Sequence, residues 1–588
     1  MFARKSLVVV LTALVLMVQA AAAQPEARIQ FVQPGVDQLK GDLKYLVELS
    51  PTVGLKKQWE GSLKPLIDSF AEGLDSSKPL RVDVVVGKDI NYEMHFPIQK
   101  LEGKGGFLEN LNGMGFTVKK VGGNLYSIVQ GDKKKGAAKK PMFMRHLNGY
   151  VSIAPNESEV PANLAAPFAD PAVQALLAKG YDVVGSLKNT ATAKDIAARK
   201  ASFQELRKQL EAGLVFKRNE DKNEFALRKL SLTQNLNEAE RFVVEADEFL
   251  FGWTTTAAPA NMEGKGRAEF HITALPNTDL AKSTEKLVSK SSYFANVKLS
   301  EKGEVSGKVN FAIDSLRAAH LKDFYEASRP VMEAQIDLRP TIKEAAQKKA
   351  AKEAGGILID LLIDSIKLEV ADLFMDLHSA GDGKHTFVCG AHVSNGKKAD
   401  GIVKLLPNVT SREVKLDIQK IGDDVSVHSV QVPDHRLEAF HKLFPGENLI
   451  YVATSKDAVW GAAGVNAVQE LTTAIGQVAG AAPEQVDPRI VHFTANSARL
   501  IELIDILKPE AVQIDPKLSK DEQSRIKQRQ KDVERIRKLA IEATAKCNPV
   551  FSGEVKKNGN KVEGWMDVSE CVLRFIGAVT ADIAKDLQ

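Results

Sequence analysis

The stretch Val309 to Arg317, Val-Asn-Phe-Ala-Ile-Asp-Ser-Leu-Arg, constrains the fold of this chain more than any other. Val309, Phe311 and Ile313 alternate as on one face of a strand. Asp314 or Ser315 stands where a following helix needs its N-cap. Val491 to Arg499 repeats the phrase, with Phe493, Asn496, Ser497 and Arg499 keeping the Phe-x-x-(Asp/Asn)-Ser-x-Arg spacing. Tyr181 to Asn189 is a fainter copy of the strand. A chain that returns to one strand-to-helix junction reads as duplicated modules. The predicted class is α+β, with antiparallel sheet packed against helices and long helical hairpins.

Each round reads as strand, helices, β-hairpin, helix. The first uses Tyr181 to Thr190, helices across Ala193 to Val244, strands near Glu248 to Thr256 and Gly266 to Ala274, then Thr278 to Ser289. The second runs from Lys308 through helices to strands Ala371 to Ala380 and His385 to Val393. It alone is followed by an insert of further strands and helices up to Gly480. The third runs from Ile490 to strands Pro549 to Lys557 and Lys561 to Val568, and ends on Cys571 to Ala584. Ahead of them Val36 to Leu49 and Gln58 to Leu74 read as helices, and Leu80 to Val86 and Tyr92 to Ile98 as strands. An Asn148-Gly149 turn sets Met144 against Ile153 and His146 against Val151. The expected units are a leader (1–23), an N-terminal module (24–180), and repeats at 181–300, 301–487 (with inserted hairpins) and 488–588. A length of 588 residues accommodates that many cores.

Met1 to Ala23 has a positive start (Arg4, Lys5), an apolar run (Leu7 to Val18) and a small-residue exit (Ala21 to Ala23), the pattern of a cleaved signal peptide. An uncleaved anchor is the alternative. No later segment is long and apolar enough to span a bilayer. The expectation is an exported protein, periplasmic or extracellular. Net charge is +4, and removing Arg4 and Lys5 leaves about +2, too balanced to point to nucleic acid. The basic run Lys133 to Lys140 reads as a solvated loop.

An oxidising compartment gives the three cysteines meaning. With Asn558-Gly559 as a hairpin turn, Val555 faces Val562 and Phe551 faces Met566. Extending that register brings Cys547 opposite Glu570, beside Cys571. A disulfide between Cys547 and Cys571 would contribute roughly 3 kcal/mol; two free buried thiols are the other reading. Cys389 is left over.

For chemistry, the best constellation is the hairpin carrying Asp376, His378 and His385. With Gly381-Asp382 as its turn, His378 lies opposite His385 and Asp376 lies two positions along, a donor set suited to a divalent metal. Loop-tip histidines in water are the plainer reading. Gly381 to Thr386 lacks the Gly-Lys-(Ser/Thr) end of a phosphate loop, and Gly103 to Gly106 lacks the third glycine of a dinucleotide fingerprint. Ser283 and Lys286 form a Ser-x-x-Lys without its companion motifs. No catalytic residue and no cofactor is therefore expected.

The opening third, Val36-Asp37-Gln38-Leu39-Lys40-Gly41-Asp42-Leu43-Lys44-Tyr45-Leu46, Phe96-Pro97-Ile98, Phe107 to Leu111, Gly123 to Tyr126 and Tyr150 to Ile153, resembles a group of uncharacterised large secreted proteins of planctomycete-type bacteria. The resemblance implies export and repetition, and carries no active residues. Three functions stay open: a non-enzymatic binding or scaffolding protein for a protein or envelope component, a carrier of an apolar, lipid-like ligand between sheet and helix, and a metal-dependent hydrolase at His378 and His385.

Overall fold

The computed structural model describes residues 27–49, 56–57, 59–86, 90–130, 141–162, 171–216, 220–256, 265–339, 342–410, 412–478, 487–507, 520–544 and 547–586. The predicted leader and the Lys133 to Lys140 run lie outside them.

Four stretches of chain supply the elements. The first gives β1 (Ala27–Gln33), α1 (Val36–Leu49), α2 (Lys64–Ala71), β2 (Leu80–Val86), β3 (Ile90–Pro97), α3 (Phe107–Gly113), β4 (Phe116–Gly122), β5 (Leu125–Gln130), β6 (Met142–Leu147), β7 (Tyr150–Ala154) and α4 (Pro171–Ala178). The second is shorter: β8 (Val183–Lys188), α5 (Ala193–Ala212), α6 (Lys222–Glu245), β9 (Ala246–Thr256), β10 (Lys265–Ala274) and α7 (Asp279–Lys286). The third gives β11 (Gly303–Ala312), α8 (Ser315–Asp337), α9 (Ala345–Ser365), β12 (Val370–Gly381), β13 (Lys384–His392), α10 (Ala399–Val409), β14 (Val414–Ile421), β15 (Val425–Gln431), α11 (Asp434–Leu443), β16 (Leu449–Thr454), β17 (Ala458–Gly464) and α12 (Ala467–Val478). The fourth gives β18 (Arg489–Asn496), α13 (Ser497–Leu507), α14 (Lys520–Thr544), β19 (Val550–Asn558), β20 (Lys561–Ser569) and α15 (Glu570–Asp586).

All twenty strands among the described residues join one antiparallel sheet. Across it they run β4-β5-β6-β7-β3-β2-β1-β8-β9-β10-β20-β19-β18-β11-β12-β13-β17-β16-β15-β14. The fold is thus α+β, as the periodicity predicts. Read inward from either end, the sheet passes a long stretch and then a short one, and the halves meet at β10 and β20. The order of connections in the first stretch matches that in the third. Residues 24–180, expected as an N-terminal module ahead of three repeats, have the same strand order as 301–487, inserted strands included. Sequence distance hides this, because β1 lacks the Phe-x-x-(Asp/Asn)-Ser-x-Arg phrase and enters its helix through Pro34 and Gly35.

At the junctions that carry the phrase, local chemistry explains the helix starts. Asp314 Oδ1 accepts the Arg317 amide at 2.9 Å, and Asn496 Oδ1 accepts those of Ala498 and Arg499. Each satisfies a donor that the first helical turn leaves unpaired. Arg317 then pairs with Glu238 and Arg499 with Glu304. At the sheet ends β4 presents Lys119 and Lys120, and β14 presents Lys415 and Lys420 with its register broken between Lys415 and Gln419. Both features discourage pairing with a further strand.

Directly opposed residues share a face, so the registers sort the sheet into two sides. One side is apolar under the helices: Ile29, Leu187 and Phe249 with Phe203 and Leu236, Phe96, Met144 and Val151 with Phe107, and Val305, Leu377 and Ala495 with Phe440 and Leu443. The other side carries much of the charge. It is covered by α4 over Val32, Val184 and Leu250, and by α12 with Phe294 over Phe374, Val388 and Trp460. Cys547 and Cys571 are joined by a disulfide, Cα atoms 6.0 Å apart, beyond the end of α14 and at the start of α15. Cys389 stays free, its thiol pushed up to about 11 by burial. Among the described residues no helix is long and apolar enough to cross a membrane.

Candidate functional site

The histidine hairpin does not assemble as a metal site. Its turn is Asp382-Gly383, both with positive φ, and a shift between Ser379 and Gly381 sets Ser379 opposite His385 and His378 opposite Thr386. A slip of one residue sends a side chain to the other face. His378 stays beside Asp376, Nδ1 to Oδ2 3.2 Å. His385 is buried on the helix-covered side, where Nδ1 lies 3.0 Å from the Leu443 carbonyl and Nε2 lies 3.1 Å from Glu304. The predicted cluster of Asp376, His378 and His385 is therefore corrected to two separate histidine pairs. The hairpin turn at 558–561 also moves by one residue, to Gly559-Asn560, which shifts the cross-strand partners by two, so Phe551 faces Val568 and the apolar side is kept.

A cleft lies on the charged side of the sheet, over the seam where β10 meets β20. Its volume is about 440 Å³, and Ala172, Leu176, Lys179, Leu250, Glu269, His271, Lys556, Glu563 and Trp565 line it. The seam supplies alternate residues from both halves of the chain: Glu269 stands opposite Trp565, and His271 opposite Glu563. The helix α4 forms a third wall. Gly252 on β9 leaves room for the Tyr181 ring, which lies 2.6 Å from where a Cβ would sit. That packing delivers the Tyr181 hydroxyl to Glu269 as a hydrogen-bond donor.

Within the cleft most of the charges are paired. Arg267 reaches Glu269 at 2.7 Å and Asp567 at 3.2 Å, and its guanidinium lies 5.2 Å above the Trp565 ring. His271 Nε2 is 2.9 Å from Glu248, and Lys556 is 3.4 Å from Glu563. Burial pushes Glu269 up, but hydrogen bonds from Tyr181 and Arg267 outweigh it and hold the carboxyl below its ordinary value. Burial and the neighbouring Glu269 raise the Tyr181 hydroxyl, which stays protonated and donating. Carboxylates as acceptors, Lys179 and Lys556 as donors, and one indole together suit a polar ligand that presents both hydrogen-bonding groups and a flat apolar patch.

None of these residues stands out in the sequence. The signals available were the alternation of Arg267, Glu269 and His271 on one strand and of Glu563, Trp565 and Asp567 on another. Nothing local says that those two strands are neighbours. The chain matches no family model, no curated protein and no solved structure, so a functional reading rests on geometry.

Proposed function

We propose that this chain is an exported, non-enzymatic binding scaffold built from duplicated α+β units, and that it takes its ligand in the cleft over the β10–β20 seam. One observation carries the reading: both halves of the chain contribute side chains to one accessible cleft, lined by two lysines and two glutamates, in which most charges are already paired. Paired charges disfavour a polyanion or polycation, since neither sign is left in excess. They favour a neutral or zwitterionic envelope component, a polysaccharide segment or a peptide, held by hydrogen bonds and by contact with Trp565. The apolar carrier is the weaker alternative, because Lys179, Glu269, His271, Lys556 and Glu563 all line the space.

The test is co-sedimentation of the purified chain with isolated cell-wall polysaccharide, alongside retention of proteins from an envelope extract. Trp565→Ala should cut retention about tenfold, the loss of one well-packed aromatic contact. Equal retention of this variant and the unaltered chain, with both folded, would remove the cleft from consideration.

A further inference from the structure

The charged side of the sheet holds a second, closed constellation on β2, β3 and β7. Asp83 stands directly opposite Glu93, Arg81 opposite His95, and His95 opposite Ser152. These are neighbours on one face, and Asp83, Glu93, His95 and Ser152 are all buried. The Arg81 guanidinium grips both oxygens of Asp83, a bidentate, charge-assisted pair at a fully buried carboxylate. One oxygen each of Asp83 and Glu93 and a ring nitrogen of His95 all lie within 4.8 Å of one another.

His95 gives the cluster its direction. Its Nδ1 is 2.9 Å from Ser152 Oγ, while Nε2 is buried with no hydrogen-bond partner. That orphaned nitrogen points between the two carboxylates, 3.8 Å from Asp83 Oδ2 and 3.9 Å from Glu93 Oε2. Both distances are too long for hydrogen bonds. Donor atoms about 2.1 Å from a first-row divalent ion sit roughly 3 to 3.5 Å apart, so the two nitrogen–oxygen separations need to shorten by about half an ångström for an ion to be held. With Nδ1–H donating to Ser152, the lone pair of Nε2 faces the carboxylates, the arrangement in which an outer hydrogen bond orients a histidine ligand.

The third stretch shows what the fold puts there otherwise. Counting from the two-residue turns β6–β7 and β16–β17, His95 and Ser152 correspond to Gly390 and Trp460. Arg81 and Glu93 correspond to Phe374 and Val388, and Asp83 to Asp376. Apolar packing fills the place in one copy of the plan, so the fold itself does not call for a histidine and a second carboxylate.

We infer that Asp83, Glu93 and His95 bind one divalent transition-metal ion, of the kind that accepts mixed oxygen and imidazole ligands, and that the ion pins β2 to β3 from within. Zn²⁺ is the probe. The full chain, stripped with chelator in denaturant with its disulfide kept intact, is refolded and titrated with Zn²⁺. One ion should bind per chain, and the melting midpoint should climb with the logarithm of free Zn²⁺. His95→Gln should weaken binding about 100-fold, Ser152→Ala, which leaves all three ligands in place, about 10-fold, and His378→Gln not at all. A refolded unaltered chain that takes up no stoichiometric Zn²⁺ overturns the site, and so does unchanged affinity in His95→Gln. Should that variant not fold, unchanged affinity in Ser152→Ala overturns it instead.

Discussion

The patch under β2, β3 and β7 and the patch under β12, β13 and β17 occupy one place in two stretches of chain with the same order of connections. They are filled by opposite means. In the third stretch Phe294, Phe374 and Trp460 meet edge to face or tilted, with centroids 5.0 to 5.9 Å apart. Gly390 supplies the room, since a Cβ there would lie 2.7 Å from the Phe374 ring. In the first stretch the same ground holds Arg81, Asp83, Glu93, His95 and Ser152. The backbone geometry is therefore indifferent to what covers it. It demands filled volume and satisfied polar groups, and rings meet that demand without the cost of desolvating charge.

That contrast breaks most readily at the aromatic patch. Trp460→Ala should cost about 3 to 5 kcal/mol in denaturant unfolding, the transfer term plus the cavity beside Phe294. A loss below about 1 kcal/mol would mean that the patch collapses freely, and that the two solutions differ less than their chemistry suggests. On the charged side Arg81→Met should cost about 3 kcal/mol, because it strips the guanidinium from an Asp83 carboxylate with no access to water. If Arg81→Met instead gains stability, the charged patch is a liability held for specificity alone.

The same choice between charge and neutrality recurs at the helix caps, and there it is milder. Asp314 and Asn496 do one job at corresponding junctions, but Asp314 also accepts Ser283 Oγ at 2.6 Å and pairs with Arg241 at 3.1 Å. Burial raises its carboxyl, and the bonds from Ser283 and the Arg317 amide, with the charge of Arg241, more than reverse this, leaving it at about 2. The folded value is depressed, so the stabilisation is present above pH of about 4 and is lost as pH falls through about 2. Asp314→Asn, which installs the chemistry of Asn496, should cost roughly 2 kcal/mol at pH 7 and little at pH 2. A cost that does not vary with pH would assign the whole effect to cap geometry.

What could be read from the sequence follows how local each determinant is. The junction at Asp314, the Asn148-Gly149 hairpin and the helix Val36–Leu49 are written within a few residues, and the structure has all three. Turn identity was harder. At 381–384 the Asp-Gly pair, which favours positive φ at both central residues, outcompetes Gly381-Asp382. At 558–561 a glycine in the first central position wins over Asn558-Gly559. Each change of turn shifts the pairing by an even number; at the first hairpin the irregularity between Ser379 and Gly381 adds the odd step that turns His385 away from His378, and the second hairpin has none. The cleft and the Asp83 cluster were out of reach for a different reason. Arg267 and Asp567 are 300 positions apart, and no local pattern encodes that β10 and β20 pair, or that a strand as late as β7 brings Ser152 to His95.

The smallest effect is the most discriminating, because it compares histidines on one face of the sheet. His378 beside Asp376 is raised by that hydrogen bond, which outweighs the burial that lowers it, with Glu470 of α12 adding attraction. Its folded value lies above the unfolded one, so its stabilisation is full below pH of about 6.5 and fades as pH rises through the folded value. His392 is lowered, chiefly by burial against Tyr293, whose ring stacks on it at 4.7 Å, despite the opposing pull of Asp457. Its contribution has the other sign: full above pH of about 6.5 and lost as pH falls. Unfolding midpoints at pH 5.5 and 8 should therefore move apart in opposite senses, His378→Gln losing more at pH 5.5 and His392→Gln relieving a penalty there. Tyr293, Asp372 and Asp457 surround His392, whereas Asp376 and Glu470 face His378. If both variants shift the same way, burial and not the nearest carboxylate governs protonation across the face.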